Sequence, residues 1–307
     1  SALLLKPRSP SVKMEAKRMR VEGKTAYPAR GNRFHDKVVV ITGAAGNFGS
    51  VCARMAAAEG AKLALVDLIK DKLESVAEEV RKTYSVTVKT FGMDVTKEAD
   101  VEKMVAEVKT EFGCIDCLFN NAGYQGLFAP VDTYSFEDFE KVMKINVTGV
   151  FAVLKHVSKV MVGQKQGSIV NTASCAGLGC PSSMPGYGTS KAAVMHLTKI
   201  SALDLAPSNV RVNSVSPAFI GPEDGFMWRR QVELQAEANP TDAPERYYSN
   251  NPEQVAKQML DSVPLRRLGT PEEVIQTVLF LLSEESSYIT GTDINISGGN
   301  VLGGARG

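Results

Sequence analysis

Tyr187 and Lys191 stand four residues apart in the run Tyr187-Gly188-Thr189-Ser190-Lys191. On a helix, positions i and i+4 share a face, so a phenol and an ammonium project together. A free tyrosine titrates near ~10 and is a poor base at neutral pH. A neighbouring ammonium, joined by the positive ring of an oxidised nicotinamide, favours the phenolate and lowers that value. Such a phenolate can take a hydroxyl proton while hydride leaves the same carbon; run backwards, the phenol protonates a carbonyl oxygen. Ser174 closes the expected strand Ser168–Thr172, and its hydroxyl can hold the substrate oxygen against Tyr187. By itself a Tyr-x-x-x-Lys is equally a surface helix pair, so its weight rests on what surrounds it.

A second chemical feature lies upstream. Thr42-Gly43-Ala44-Ala45-Gly46-Asn47-Phe48-Gly49 follows an expected strand and opens an expected helix. Glycines there let the backbone turn tightly and approach a pyrophosphate seated at the helix N-terminus. Asp67 ends the next strand, where a carboxylate accepts both adenosine ribose hydroxyls and repels a 2′-phosphate. Neither Ala45 nor Leu68 supplies a compensating cation, so the cofactor expected is NAD rather than NADP.

These residues need a frame, and the hydrophobic pattern supplies one. Lys37–Thr42 is β-branched and continuous, as expected of a strand buried on both faces, and Ala61–Val66, Val86–Phe91, Ile115–Phe119, Ser168–Thr172, Val210–Val215 and Asp293–Ile296 are the further expected strands. Between them lie helical stretches at Asn47–Glu59, Ile69–Thr83, Lys97–Phe112, Phe136–Met161, Pro185–Leu205 and from Pro271 to about Leu282. Strict alternation implies a doubly wound α/β fold of Rossmann type, a parallel sheet of about seven strands with helices on both faces. The stretch 219–264 breaks the rhythm; it is rich in Glu, Gln, Asn and Pro, with a helix-like centre at Met227–Glu237. After a strand's carboxyl end, an insertion is expected to be a substrate loop.

Composition excludes several classes. The 307 residues are 44% hydrophobic and 22% charged with net charge +1, which gives no field to gather nucleic acid or an acidic membrane surface. No apolar run approaches the ~20 residues of a membrane-spanning helix. Five cysteines, Cys114 and Cys117 in one C-x-x-C, read as ordinary thiols of a reducing compartment. His35, His156 and His196 show no paired spacing, so no metal is expected. Residues 1–34 carry nine Lys and Arg against Glu15 and Glu22. They read as a flexible tail, part of it a leader foreign to the protein because the chain begins with Ser, ahead of a single domain over 35–307. The alternative is an organelle-targeting peptide; without it a cytoplasmic protein is expected.

From Lys37 to Gly299 the chain resembles the short-chain dehydrogenase/reductase family. The family's T-G-x-x-x-[Ala or Gly]-x-G appears as TGAAGNFG, with Asn47 at the Ala/Gly position. The resemblance implies that Gly43, Asn47, Phe48 and Gly49 surround the pyrophosphate, that Asp94 and Val95 lie beside adenine, and that Asn120, Ala122 and Gly123 of the intact N-N-A-G line the cofactor. It completes a catalytic set of Asn146, Ser174, Tyr187 and Lys191, the asparagine backbone binding a water on the way to the lysine. It also places Pro217 and the backbone of Ile220 at the nicotinamide, although the usual Pro-Gly is Pro217-Ala218 and the usual threonine is absent from Gly221-Pro222-Glu223. Within the family, Leu118–Val131, Asn171–Ser174, Leu203–Pro207 and Gly225–Ala236 are similar to members that oxidise a polyol to a ketose. Phe128, Met184, Phe219, Met227 and Trp228 are candidates for an apolar pocket lining. Other secondary-alcohol or 3-oxoacyl and hydroxysteroid substrates, or a non-catalytic sensor, are the competing readings. Family resemblance implies a homotetramer pairing the helices that begin near Phe136 and Pro185.

Overall fold

The computed structural model describes residues 19–21, 24–26, 31–179, 182–223, 225–238 and 249–300. Seven strands form one parallel sheet: β1 (Val38–Thr42), β2 (Lys62–Asp67), β3 (Val88–Gly92), β4 (Cys117–Asn120), β5 (Gly167–Thr172), β6 (Val210–Pro217) and β7 (Asp293–Ile296). Their order is β3-β2-β1-β4-β5-β6-β7, so the winding reverses between β1 and β4. In such sheets a ligand crevice opens at the carboxyl ends on either side of that reversal.

Alternation along each strand feeds two apolar layers. Val39 and Ile41 of β1 and Leu63 and Leu65 of β2 join α1 (Asn47–Ala58), α2 (Lys70–Tyr84) and α9 (Pro271–Leu282). Val38, Val40, Ala64 and Val66 join α3 (Glu98–Phe112), α5 (Val150–Gln164) and the end of α6 (Pro185–Leu205) on the other face. The helices start and stop on local signals. Thr270 and Glu273 close a reciprocal capping box ahead of Pro271. Gly113, at φ 81°, ends α3 in the left-handed conformation.

Two elements depart from expectation. The single helix expected over Phe136–Met161 is α4 (Phe136–Met143), a π-helical turn over Lys144–Gly149, then α5. Together they run without a break over 29 residues, and an 18-residue stretch within them reaches mean hydropathy 1.3, long and apolar enough by composition to cross a bilayer, where no such run was expected. Half of that apolar stretch is buried in the fold, as for a core helix whose inner face covers a sheet. Among its described residues the insertion holds two helices, α7 (Phe226–Glu237) and α8 (Pro252–Asp261), rather than one helical centre. Asn251 caps α8 through the amides of Glu253 and Gln254, and Val255 and Met259 bury its inner face against Trp228, Val232 and Ala236 of α7.

Of the basic segment 1–34, a short antiparallel ribbon pairs Met19–Val21 with Lys24–Ala26. From residue 31 the chain joins the domain: Phe34 is buried, and Arg33 bonds Glu59 and Glu285. The rest of the expected tail lies outside the described residues.

Candidate active site

The residues expected to react converge on the end of β5 and the start of α6. Tyr187 and Lys191 sit on successive turns at the start of α6, one face of one helix, as their spacing requires. Lys191 is 3% exposed; its Nζ donates to the Thr172 carbonyl at 2.7 Å, where β5 ends, and lies 5.6 Å from the Tyr187 ring centroid. Ser174 is extended and caps the short turn Cys175–Gly177, its Oγ accepting from the Ala176 amide at 3.2 Å. That cap holds the hydroxyl at the strand end, where its hydrogen bond to the phenol draws Tyr187 down.

The electrostatics of the chain alone differ in sign from the sequence expectation. Burial raises the Tyr187 phenol above its ordinary value; Ser174 opposes this and the Cys175 thiol adds to it. Burial pulls the Lys191 ammonium down, to about 8. In the protein's own field desolvation of the phenolate outweighs the ammonium, which lies beside the ring and bonds a carbonyl; the expected lowering rests on the nicotinamide charge as well. In that field the pair is poised as a phenol and a weakly held ammonium.

Asn146 lies in the π-helical turn and is fully buried. Its Oδ1 accepts from the Tyr124 amide at 2.7 Å, and its Nδ2 donates to the Tyr124 carbonyl at 2.8 Å and to Ser190 Oγ at 3.0 Å. The side chain is thus engaged at both ends, and the water route that the family resemblance assigns to Asn146 runs through its backbone. A Cβ placed on Gly123 would stand 3.3 Å from Asn146 Oδ1 and 3.6 Å from Lys191 Nζ. Any side chain there narrows the gap between those two residues. Asn146, Ser174, Tyr187 and Lys191 are all brought to one locus.

The expected cofactor residues form a cradle beside it. Gly43 takes φ 64°, and a Cβ on it would lie 3.1 Å from Ala122 Cα; a Cβ on Gly49 would collide with the Gly43 carbonyl. The turn closes only with glycine at both positions. Gly46 caps α1 without a side chain, and no acidic residue occupies the first helical turn. The amides of that turn are left for an anion. Asn47, at the position where the family has Ala or Gly, is the exposed first residue of the helix. Asp67 accepts from the Ala45 amide at 2.9 Å and the Ile69 amide at 3.0 Å, which fixes its carboxylate at the mouth of the glycine turn. Lys70, the next cation along the chain, lays its stem across Gly92.

Other positions shape the cradle from beneath. Phe48 packs on the core below it. Burial pushes the Asp94 carboxyl up, but Thr96, Lys97 and Lys144 outweigh it and hold the group low. Val95 packs against Gly149 of the π-helical turn. Asn120 is buried, bonded to the Val150 carbonyl, Asn171 and Thr42, so its side chain ties strands together rather than facing the crevice. The Ala122 amide donates to Thr42 Oγ1 at 3.0 Å.

At the nicotinamide end, Gly269 bridges Ile220 through the Phe219 carbonyl and the Gly221 amide. In a parallel bridge the central residue's own amide and carbonyl point the other way, so Ile220 presents them away from Gly269. Pro217 offers its carbonyl to Ser174 at 3.5 Å. With glycines at both steric pinch points, an open helix start and a fixed strand-end acid, the crevice fits a dinucleotide.

Sequence reasoning passed over several residues of this locus. Asn121 braces the glycine turn through the Thr42 and Gly43 carbonyls and receives Thr172. Its only signal is its place in N-N-A-G. Leu234 of α7 packs with Phe128 and Met184 against Tyr187, an apolar wall over the reacting phenol. Of the aromatics and methionines considered, Phe128 and Met184 line it. Phe219 and Trp228 instead make an edge-on contact, centroids 5.9 Å apart, within the α7–α8 core. The side chain of Met227 lies outside the described residues.

Comparison with known proteins agrees with this geometry. Residues 37–230 match the short chain dehydrogenase family, and residues 234–300 match a family described as enoyl-(acyl carrier protein) reductase. Levodione reductase of Leifsonia aquatica is 36% identical over 276 residues, 90% of this chain and 98% of the relative. A 3-oxoacyl-(acyl-carrier-protein) reductase, FabG, of Thermotoga maritima is 36% identical over 270 residues, 88% of this chain and all of the relative. The crystal structure of an NAD+-bound xylitol dehydrogenase superposes with TM-score 0.83 at 49% identity, covering 87% of this chain and 99% of that one. With its sheet order, its glycine turn and its assembled Asn146, Ser174, Tyr187 and Lys191, the chain belongs to the short-chain dehydrogenase family of oxidoreductases.

Proposed function

We propose that this chain is an NAD-dependent dehydrogenase of secondary alcohols, with a polyol such as xylitol as substrate. The observation that carries the reading is the 49% identity to a xylitol dehydrogenase over nearly its whole length. Asp67, at the mouth of the glycine turn with its carboxylate fixed by two amides, supports NAD over its 2′-phosphorylated form. When bound, the nicotinamide supplies the acceptor for the hydride.

The chain's own groups handle the proton. Ser174 Oγ holds the substrate oxygen at the end of β5, within reach of Tyr187. With the nicotinamide charge added to that of Lys191, Tyr187 acts as the phenolate and takes the hydroxyl proton as the carbon–hydrogen bond breaks, leaving a carbonyl; the proton then passes from the phenol toward Lys191 and solvent. Lys191, anchored on Thr172, contributes its charge beside the ring. Leu234, Phe128 and Met184 exclude water from one side of the phenol.

The apolar character of that wall favours a second reading, in which the same residues reduce a less polar ketone and Tyr187 donates the proton. The likeness to levodione reductase supports it. Exposed Phe136 and Phe151 on the α4–α5 helix, and Ile200 and Leu203 on α6, support a homotetramer paired along these helices.

The test is an absorbance assay of reduced cofactor across polyols, simple secondary alcohols and ketones, with NAD and NADP in parallel. The expected result is NADH formed from polyols with little turnover of NADP. Ketone reduction with no polyol oxidation would replace the first reading with the second.

A further inference from the structure

The loop between β4 and α4 faces the reacting phenol, yet no catalytic residue holds it except through Asn146. Its anchor lies on α4. Asp138 is 8% exposed, and its carboxylate gathers three donors from that loop: Tyr124 Oη on Oδ1 at 3.0 Å, and the Leu127 amide at 2.8 Å and Tyr134 Oη at 2.7 Å on Oδ2. Desolvation pushes Asp138 upward, but the three donors and Lys141 hold it low. Lys141 also sits 4.6 Å over the Tyr124 ring.

Each donor leads to the site. Tyr124 is the residue whose backbone brackets the Asn146 side chain. The residue after Leu127 is Phe128, which packs on Tyr187 with Met184 and Leu234. Tyr134 Oη would stand 3.1 Å from a Cβ on Gly186, the residue before Tyr187. Gly126, at φ 75°, passes so close that a Cβ would lie 2.6 Å from Val142 Cγ2 and 2.9 Å from Asp138 Oδ2. The loop is drawn onto one carboxylate at the closest approach glycine permits.

We propose that Asp138 is a positioning residue: it sets the loop 123–134 so that Phe128 forms the substrate wall on Tyr187 and Tyr124 meets Asn146. Asp138 touches neither substrate nor cofactor; it acts through Tyr124, Leu127 and Tyr134. The role rests on the reading of Tyr187 as the proton-transfer group, whichever alcohol is turned over.

Asp138→Asn keeps the shape and removes half of the acceptor capacity. Loss of loop register is expected to lower kcat/KM for the alcohol by about tenfold to a hundredfold. Most of this should be in the KM for alcohol, while the KM for NAD and the NADH dissociation constant stay at the parent values. Equal rises in both KM values, or no change in either, would overturn the proposal. Should Asp138→Asn not fold, Tyr124→Phe with Tyr134→Phe removes two donors, leaves the carboxylate, and is read by the same two outcomes. Should the parent protein oxidise no alcohol, the reading of Tyr187 fails, and amide hydrogen exchange decides the anchor separately. Exchange at Leu127 faster by about tenfold in Asp138→Asn, with α6 unchanged, supports it; unaltered exchange at Leu127 overturns it.

Discussion

The two halves of the crevice are built on different principles. On the cofactor side, from β1 to β3, the working parts are backbone: a turn closed by Gly43 and Gly49, the open amides of α1, and one fixed acid, Asp67. On the substrate side they are side chains brought together from distant segments: Ser174 after β5, Tyr187 and Lys191 on α6, Phe128 from a loop, and Leu234 from the insertion. A backbone cradle tolerates few residue types and suits one invariant ligand. A side-chain wall can be changed residue by residue and suits a variable one. If the halves are separable, substitutions on one side should leave the other's measurements untouched.

The largest expected separation comes from Tyr187→Phe. Removing the hydroxyl should lower kcat by about 10²- to 10⁴-fold, while titration calorimetry finds NADH bound with the parent affinity. A variant that loses NADH binding as well would join the two halves.

Next in size is a pH effect at Lys191, which titrates near about 8 in the folded chain against 10.5 for the free side chain. Between those values the unfolded chain holds the proton and the folded chain does not. Stability from this group therefore rises as pH climbs through that window, and its penalty is fully present below it. The window spans roughly 3 kcal/mol. Lys191→Met removes the penalty, so denaturant titrations should show the variant's advantage over the parent shrinking from pH 8 to 10.5. A constant difference across the window contradicts the buried ammonium.

On the cofactor side, Gly49→Ala forces a methyl against the Gly43 carbonyl. Overpacking of this kind costs about 1–3 kcal/mol. It should appear as a lower unfolding free energy and a raised NADH dissociation constant, with the alcohol KM at saturating cofactor unchanged. The smallest effect is expected at the wall: Leu234→Ala should shift the ranking among alcohols by about tenfold and leave NADH affinity alone. A change confined to NADH affinity would place Leu234 on the wrong side of the crevice.

The same contrast decides what the sequence revealed. Strands buried on both faces read as apolar runs, and the β1–α1 turn reads as glycines, because each is a local constraint on the chain. The sheet, the glycine turn, Asp67 and the Tyr187–Lys191 pair were legible for that reason. The π-helical turn at Asn146 was not, since its residues keep a helical pattern throughout. Helix α8 was hidden by the polar composition of the insertion, though Asn251-Pro252 is a start signal and Val255 and Met259 lie one turn apart. Asp138 was not singled out in the sequence, because its three loop donors meet it only after folding. The upward push of burial on Tyr187 was hidden for a related reason. A neighbouring charge can be read from spacing, whereas desolvation is a property of the packed site.

The central claim is that hydride moves from the carbinol carbon of a polyol to NAD beside Tyr187. Xylitol deuterated at its secondary carbons tests it most directly, by mass analysis of the reduced cofactor and by the isotope effect on kcat/KM. The account predicts one deuterium per NADH formed and a slower reaction than with unlabelled xylitol. Absence of NADH from xylitol and related polyols, with the protein folded and NAD bound, would contradict it.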